Sequence, residues 1–119
     1  MAKTNTFKKR DAINHLKAVH CSLELYVTFA SKNETIDTYW ANPRFTLLDK
    51  DWTLILNDWN LEELHVFRIP AHTIEKTRLK PRKDHPEKIH LEIQYGDPDF
   101  TDKRSGVRFG PYLVTSVKY

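Results

Sequence analysis

Residues 52–70 read WTLILNDWNLEELHVFRIP, and this stretch predicts two strands joined by a turn. The apolar run 52–56 and the run 63–69 are both typical of β-strands, and Pro70 ends the second run. Residues 57–60 between them, NDWN, are turn formers. Because a parallel crossover needs about a dozen residues or more, this short connection predicts an antiparallel hairpin.

Upstream of this hairpin the sequence changes from a helical period to a strand period. Apolar residues recur at helical spacing over 7–19, and Thr6 is a candidate N-cap, so we predict a helix there. Apolar and polar residues then alternate over 21–29, which predicts a half-buried strand. A helix continued through Leu25 also fits this segment.

Three further strands are predicted from short apolar runs. Residues 45–48 would form another hairpin with the strand at 52–56, through a polar turn. Apolar and polar residues alternate over 89–95, which is the clearest strand pattern after the one at 21–29. A final strand is predicted over 112–119.

Together these segments predict an α+β fold in a single domain covering residues 1–119. An N-terminal helix packs on a mainly antiparallel sheet of about six strands, because short connections favour hairpins. The alternative is a curved or partly closed barrel whose open end is covered by the helix. A chain of 119 residues has the usual size of one domain, and it contains no internal repeat or low-complexity run.

Cysteine content and hydropathy limit the classes of protein to which this chain can belong. Cys21 is the only cysteine, so no intramolecular disulfide can form, as is usual in a reducing compartment. The first ten residues, MAKTNTFKKR, are polar and basic, and no apolar signal segment follows them. We therefore expect a soluble cytoplasmic protein with no membrane association.

The formal net charge of +3 hides an uneven distribution along the chain. Residues 1–33 carry a net charge of +4, residues 34–63 carry −5, and residues 64–119 carry +4. A basic surface would therefore have to form where the two ends of the chain fold together.

The segment EKTRLKPRKD, residues 75–84, contains a regular row of cations. Four basic residues occupy every second position: Lys76, Arg78, Lys80 and Arg82. In a strand they would share one side at a spacing of about 6.5 Å, with Leu79 pointing inward. This row predicts a polyanion-binding strand face, but cations and Pro81 on an edge strand also protect against aggregation, which is the alternative. Whether residues 70–87 form a strand is left open, since Pro81 and Pro86 could make them an extended loop that keeps the charge but not its one-sidedness.

Two other basic groups are candidates to join this row. One lies at the predicted helix start, and the other lies in a loop around Gly106 that is also interpretable as ordinary surface. The helix group is Lys8, Lys9 and Arg10, and the loop group is Lys103, Arg104 and Arg108. Placing cations at a helix start opposes the helix dipole, which hints at a use for them.

The aromatic residues give mixed support to a nucleic-acid surface. Bases stack on exposed aromatic rings, but Trp40, Trp52 and Trp59 lie in the acidic segment, which fits such a surface poorly. Trp52 is predicted to lie in the core, because it alternates with apolar residues. Trp59 is predicted to fold back from a turn over the core, with a protein-contact anchor as the alternative.

An enzymatic interpretation rests on two acid–imidazole pairs. A metal-dependent nuclease needs carboxylates from neighbouring strands and a nearby base. Each pair lies on one face of a predicted strand, and the four candidate catalytic residues are Glu63, His65, His90 and Glu92. Asp51 or Asp58 could add a ligand before the first pair, and Asp84 before the second. The alternation of any half-exposed strand also explains both pairs.

No metal site and no cofactor are predicted. The six histidines and single cysteine form no metal-ligand spacing. The acidic run at 97–102 is better explained by turn hydrogen bonds than by a calcium loop, since the later ligands of such a loop are missing.

We therefore expect a small soluble binding module that contacts nucleic acid through a basic strand face. Two alternatives remain open: a metal-dependent nuclease-like enzyme, and a protein–protein interaction module, including a homo-oligomer. Whether the protein is an enzyme is not decided by its sequence. The predicted nucleic-acid-binding residues are Lys76, Arg78, Lys80, Arg82, Lys8, Lys9 and Arg10.

Overall fold

The structure of the protein is a computed structural model that describes residues 7–119. These residues form one α-helix and six β-strands, with short 3₁₀ helices between them. The elements are α1 (Lys9–Ala18), β1 (Tyr26–Ser31), β2 (Thr38–Ala41), β3 (Trp52–Asp58), β4 (Glu63–Ile69), β5 (Leu91–Gln94) and β6 (Leu113–Lys118). The fold is α+β, as predicted.

The larger sheet has four strands in the order β1-β3-β4-β6. β3, β4 and β6 are antiparallel neighbours, whereas β1 runs parallel to β3 with Tyr26 opposite Trp52. The sheet is therefore mixed. β2 and β5 form a second, antiparallel sheet of two strands.

β3 is the central strand, and all seven of its residues are buried. This is expected for a strand whose sheet is covered on both faces. Ile55 belongs to the apolar cluster on the helix side, whereas Trp52, Leu54 and Leu56 belong to the cluster on the opposite face. The burial predicted for Trp52 is therefore confirmed.

α1 covers the first of these faces with its apolar side. Ala12 and Leu16 are fully buried in one cluster with Ile55, Leu64 and Val66. A spacing of four residues places both helix side chains on the same face. Within residues 7–119, no helical segment combines the length and apolar character needed to cross a lipid bilayer.

The opposite face of the larger sheet is covered by the smaller sheet and its connections. The segment 38–44 runs antiparallel to the segment 88–94, because the register of β2 and β5 continues to a bridge between Arg44 and Lys88. Asn42 lies between these pairs and donates its side-chain N–H to the carbonyl of Ile89 (3.0 Å). The paired region is thus longer than β2 and β5 alone.

A third line of backbone lies on the other edge of segment 88–94. Residues 80–82 form one part of this line, beside Ile89, and residues 101–103 form the other part, beside Ile93. The bridges that join it to the central segment are Pro81 with Ile89 and Asp102 with Ile93. We call the three lines of backbone, 38–44, 88–94 and 80–82 with 101–103, the extended small sheet.

The predicted helix is confirmed, and the predicted strand at 21–29 is confirmed only in its second half. The structure places Lys8 at the N-cap, where its backbone N–H donates to the carboxylate of Asp11 (2.9 Å); Thr6 lies outside the described residues. β1 begins only at Tyr26. The residues before it are held by other contacts, such as the hydrogen bond from the Glu24 N–H to Thr53 Oγ1 (2.9 Å).

One prediction about the strands was wrong, and one strand was missed. Residues 45–48 lie in a 3₁₀ helix, Phe45–Asp49, which packs Leu48 into the core, so they form no hairpin with β3. The strand at Thr38–Ala41 was not predicted at all. The predicted hairpin of β3 and β4 is confirmed, with Asp58 opposite Glu63 at its turn. The larger sheet is open, with β1 and β6 at its edges, so the barrel alternative is not confirmed.

Candidate functional site

The predicted basic row at 76–82 does not form one continuous strand. Lys76–Arg78 is a 3₁₀ helix, in which the Arg78 N–H donates to the Glu75 carbonyl (3.0 Å). Of the two alternatives left open for this segment, a strand or a loop, the strand does not apply to residues 76–78. Lys76 Nζ lies 3.5 Å from Asp49 Oδ2. Leu79 is buried, as predicted.

The second half of the row does share one face. The N–H of Arg82 donates to the carbonyl of Lys88 (2.9 Å), and the N–H of His90 donates to the carbonyl of Lys80 (2.7 Å). Because alternate residues of an extended segment point the same way, Lys80 and Arg82 lie on the face opposite to buried Ile89. We call this the outer face of the extended small sheet.

The same outer face collects cations from distant parts of the chain. Residues paired across a ladder share a face, which places Lys88 and Arg44 beside Lys80 and Arg82. Lys103 crosses the same face, since its ammonium donates to Thr38 Oγ1. We call the resulting surface the basic face; its cations are Arg44, Lys80, Arg82, Lys83, Lys88, Lys103 and Arg104.

A hollow of about 290 Å³ lies within the basic face. It is lined by Arg82, Lys83, Asp84, His90 and Arg104. Arg82 is held in a two-point contact with Asp84 (2.9 and 2.7 Å). This bidentate geometry fixes the guanidinium plane at the rim of the hollow.

The carboxylates near the basic face neutralise only part of its charge. Glu92 Oε1 lies 3.1 Å from His90 Nε2 and 3.9 Å from Arg104 Nη1. Five cations of the basic face have no carboxylate oxygen within 4.0 Å among residues 7–119, namely Arg44, Lys80, Lys83, Lys88 and Lys103. The surface is therefore positively charged, and its free cations face solvent or lie half-buried.

Trp40 is the exposed aromatic residue of the basic face. Its side chain is 49% exposed, and it lies opposite Glu92 in the ladder of β2 and β5. The sequence placed Trp40 in an acidic segment and so gave it a poor fit to a nucleic-acid surface. In the structure its direct cross-strand neighbour is Glu92, which in turn contacts His90 and Arg104. Trp40 also lines a hollow with Lys32 and Glu34.

The basic residues at the helix start lie elsewhere. Lys8, Lys9 and Arg10 are exposed at the start of α1. Since α1 and the extended small sheet cover opposite faces of the larger sheet, the structure does not bring these three cations into the basic face. Lys76 and Arg78 are also outside the ladder that forms it.

The first acid–imidazole pair lies in a separate cleft, between the turn end of the β3–β4 hairpin and the inner side of the small sheet. The cleft has a volume of about 290 Å³. We call it the inner cleft, and its lining includes Tyr39, Asp58, Leu61, Glu63, His65, Tyr95, Asp97, Pro98 and Phe100.

Asp58 lies at the floor of the inner cleft, with only 3% of its surface exposed. The Tyr95 hydroxyl lies 3.0 Å from each of its carboxylate oxygens, and the N–H of Leu61 donates to Oδ1 (3.2 Å). Burial, reinforced by the charge of Asp58, raises the pKa of both Tyr39 and Tyr95. Both phenols therefore stay protonated and can donate hydrogen bonds.

Glu63 and His65 form the wall of the cleft. Glu63 Oε2 lies 3.4 Å from Lys118 Nζ, and its Oε1 lies 3.7 Å from His65 Nε2. The other ring nitrogen of His65, Nδ1, lies 2.8 Å from Ser116 Oγ. Burial lowers the pKa of His65, although the nearby carboxylates oppose this effect. The imidazole is therefore neutral at pH 7.

The predicted nuclease ligands do not assemble into a metal centre. Within residues 7–119, no group of three His, Cys, Asp or Glu side chains is placed to hold a metal ion. Asp51 accepts a hydrogen bond from the Ala71 N–H (2.8 Å) at the far end of the hairpin from Asp58. Asp97 makes the predicted turn hydrogen bonds, from the N–H groups of Asp99 and Thr101 (3.0 Å each).

Comparisons of this chain with protein-family models, with curated proteins and with solved structures found no match. The basic face and the inner cleft are therefore interpreted from their own geometry.

Proposed function

We propose that this protein binds single-stranded nucleic acid through the basic face, largely without regard to sequence. The observation that carries the proposal is that cations from three separate chain segments lie on the same outer face that exposes the indole of Trp40. Proteins that bind single strands combine a positively charged surface for the backbone with aromatic rings for the bases.

The unpaired cations account for phosphate binding. Arg44, Lys80 and Lys88 come from the three neighbouring lines of the extended small sheet, which are about 4.8 Å apart. Each can release a counterion when it meets a phosphate, so affinity should depend steeply on salt. Arg82 adds a guanidinium whose plane is fixed by Asp84.

Trp40 accounts for the preference for unpaired bases. Stacking of a base on an exposed aromatic ring contributes about 1–3 kcal/mol and is tolerant of base identity. In duplex nucleic acid the bases are already stacked on each other. A single strand can therefore use both the cations and the indole, whereas a duplex uses the cations alone.

The test is a salt titration with a fluorescein-labelled single-stranded oligonucleotide, read by fluorescence anisotropy. If about five phosphates are neutralised, raising the salt from about 50 to about 200 mM should weaken binding by about a hundredfold. The variant Arg44→Ser/Lys80→Ser/Lys88→Ser should bind more weakly at low salt. Its log–log salt slope should be smaller by about 2.

The chain provides a matched control with the same change of charge. The variant Lys8→Ser/Lys9→Ser/Arg10→Ser removes three exposed cations from the opposite side of the larger sheet. It should keep most of the affinity and the slope of the unchanged protein. Equal losses in the two triple variants would mean that net charge, and not the basic face, produces binding, and would overturn the proposal.

A further inference from the structure

The inner cleft has the chemistry of a site for an organic cation. Its floor is the carboxylate of Asp58, which is almost completely buried. Among residues 7–119, no Lys, Arg or His nitrogen lies within 4.0 Å of that carboxylate. Buried carboxylates in proteins are normally paired, so Asp58 has hydrogen-bond donors but lacks a cation, and it faces a cleft.

Two further carboxylates, those of Glu63 and Asp97, line the cleft with Asp58, and no Lys or Arg side chain of residues 7–119 is part of the lining. Glu63 lines the wall, and one of its oxygens faces His65, whose imidazole is neutral because burial lowers its pKa. Hydrogen bonds to the side chain of Asp97 lower the pKa of that carboxyl, so it too is ionised. The cations nearest to these carboxylates lie at the edge of the cleft: the mostly exposed Lys118 contacts Glu63 Oε2 (3.4 Å) and the Leu61 carbonyl (3.3 Å), and the charge of Arg108 helps to lower the pKa of Asp97.

The aromatic walls of the cleft are suited to an ammonium group. Tyr39 and Tyr95 lie with ring centroids 5.7 Å apart, and Phe100 closes the opposite wall. The protein already uses one of these rings in this way, because Lys32 Nζ lies 5.0 Å from the centroid of the Tyr95 ring. Aromatic faces attract ammonium ions within about 6 Å.

The size of the cleft and the wide spacing of its carboxylates favour an organic cation over a metal ion as the ligand. The carboxylates of Asp58, Glu63 and Asp97 line one space of about 290 Å³. No three His, Cys, Asp or Glu side chains of residues 7–119 come close enough to hold a metal ion. Carboxylates that are too dispersed for a metal ion can still surround an ammonium group with an apolar tail, which Leu61 and Pro98 at the rim would contact.

We propose that the inner cleft binds a primary alkylammonium ion, with the ammonium group between Asp58 and Glu63 and the alkyl chain against Phe100 and the rim. Such a group can come from a free amine or from a lysine side chain of a polypeptide. This inference does not depend on nucleic-acid binding at the basic face, because the two sites lie on opposite sides of the small sheet.

The test is a ¹H–¹⁵N NMR titration of the full chain with n-butylammonium chloride, in the absence of nucleic acid. The expected result is a saturable shift of the amides of Leu61, Gly96 and neighbouring residues. n-Butanol, which has the same alkyl chain but no charge, should bind at least about tenfold more weakly. Equal binding of n-butanol would overturn the proposal, because the carboxylates would then play no part.

Substitutions of the cleft carboxylates test which of them binds the ammonium group. Asp58→Asn keeps an acceptor for the Tyr95 hydroxyl but removes the charge, and should weaken n-butylammonium binding by about tenfold. Glu63→Gln, at the less buried wall, should weaken it too and gives a second test if the Asp58 variant does not fold. Asp99→Asn, an exposed carboxylate outside the cleft lining, should leave binding unchanged. Unchanged binding in Glu63→Gln and a folded Asp58→Asn would overturn the proposal.

A second ligand distinguishes the two sources of the ammonium group. Acetyl-Gly-Lys-Gly-amide carries the same group on a short peptide. Tighter binding of this peptide than of n-butylammonium would identify a polypeptide as the source, and equal or weaker binding would identify a free amine. Binding of a peptide with norleucine in place of lysine, at the same strength, would contradict both.

Discussion

The two sides of the small sheet carry opposite chemistry, although the same strands build both. β2 presents Trp40 outward and Tyr39 inward, and the segment that contains β5 presents His90 outward and Tyr95 inward. The outer side is the basic face and the inner side lines the inner cleft. The strand period of two residues is enough to place the cation-rich face and the carboxylate-lined cleft on opposite sides of one sheet.

The two sides also differ in how much their side chains contribute to the stability of the fold. On the basic face, Arg44, Lys80 and Lys88 have no carboxylate within 4.0 Å among residues 7–119, so removing them leaves no buried group unsatisfied. In the cleft, Asp58 is buried and satisfied by Tyr95 and by the backbone of Leu61. We therefore expect the basic face to be open to substitution without loss of stability, and the cleft to be part of the stabilising core.

The largest effect that would sharpen this comparison is expected from Trp40→Ala. Removing the indole should weaken single-strand binding by about 2 kcal/mol, or about thirtyfold, because one stacking platform is lost. The salt slope should stay the same, since no cation is removed. Anisotropy titrations at two salt concentrations measure both quantities.

Two comparisons control this prediction. Leu61→Ala removes an exposed apolar side chain at the rim of the cleft, and should leave nucleic-acid affinity unchanged. Duplex binding should be nearly the same for Trp40→Ala and the unchanged protein. An equal loss for single strands and duplexes would show that Trp40 supports the surface and does not stack on bases.

A second, smaller effect tests whether the inner cleft contributes to the stability of the fold. Tyr95→Phe removes the hydroxyl that lies 3.0 Å from both oxygens of buried Asp58. It should lower the free energy of unfolding by about 1.5 kcal/mol, because a hydrogen bond to a charged group is lost. Urea denaturation followed by tryptophan fluorescence measures this change.

The basic face supplies the comparison for this measurement. Lys80→Ser should change the free energy of unfolding by less than about 0.5 kcal/mol, as exposed substitutions usually do. If Lys80→Ser destabilised the protein as much as Tyr95→Phe, the distinction between a replaceable outer face and a structural inner cleft would be wrong.

The sequence predicted the parts of the fold that depend on local pattern. The helix at Lys9–Ala18, the strand at Glu63–Ile69 and the burial of Trp52 all follow from apolar period and turn residues, and all are confirmed. The sequence did not predict the parallel pairing of β1 with β3, because nothing local fixes which distant strand becomes a neighbour.

The basic face could be predicted only in part for the same reason. The alternation of Lys80 and Arg82 was visible, but the register that adds Arg44 and Lys88 joins segments far apart in the chain. Lys76 and Arg78 followed the same alternation and still lie in a 3₁₀ helix. The sequence also could not show that Trp40 shares the outer face of the small sheet with the cations of the basic face, because its cross-strand partner Glu92 is distant in the chain.

The smallest effect expected is on the pH dependence of stability, and it tests the surroundings of the His65 imidazole in the inner cleft. Burial lowers the pKa of His65 in the fold, against the opposing effect of Glu63 and Asp58. The unfolded chain, in which a histidine has a pKa of about 6.5, therefore binds a proton that the folded chain does not. The free energy of unfolding should fall as the pH drops from about 6.5 towards the lower pKa of the folded state.

The measurement is urea denaturation at several pH values, repeated for His65→Gln. This variant should lose part of the decrease in stability below about pH 6.5, because its side chain does not titrate. His72→Gln, which removes an exposed histidine far from the cleft, controls for the general loss of an imidazole and should keep the decrease. If His65→Gln and the unchanged protein had the same pH profile, His65 would not be held neutral by burial, and Glu63 would face a cation already present in the cleft.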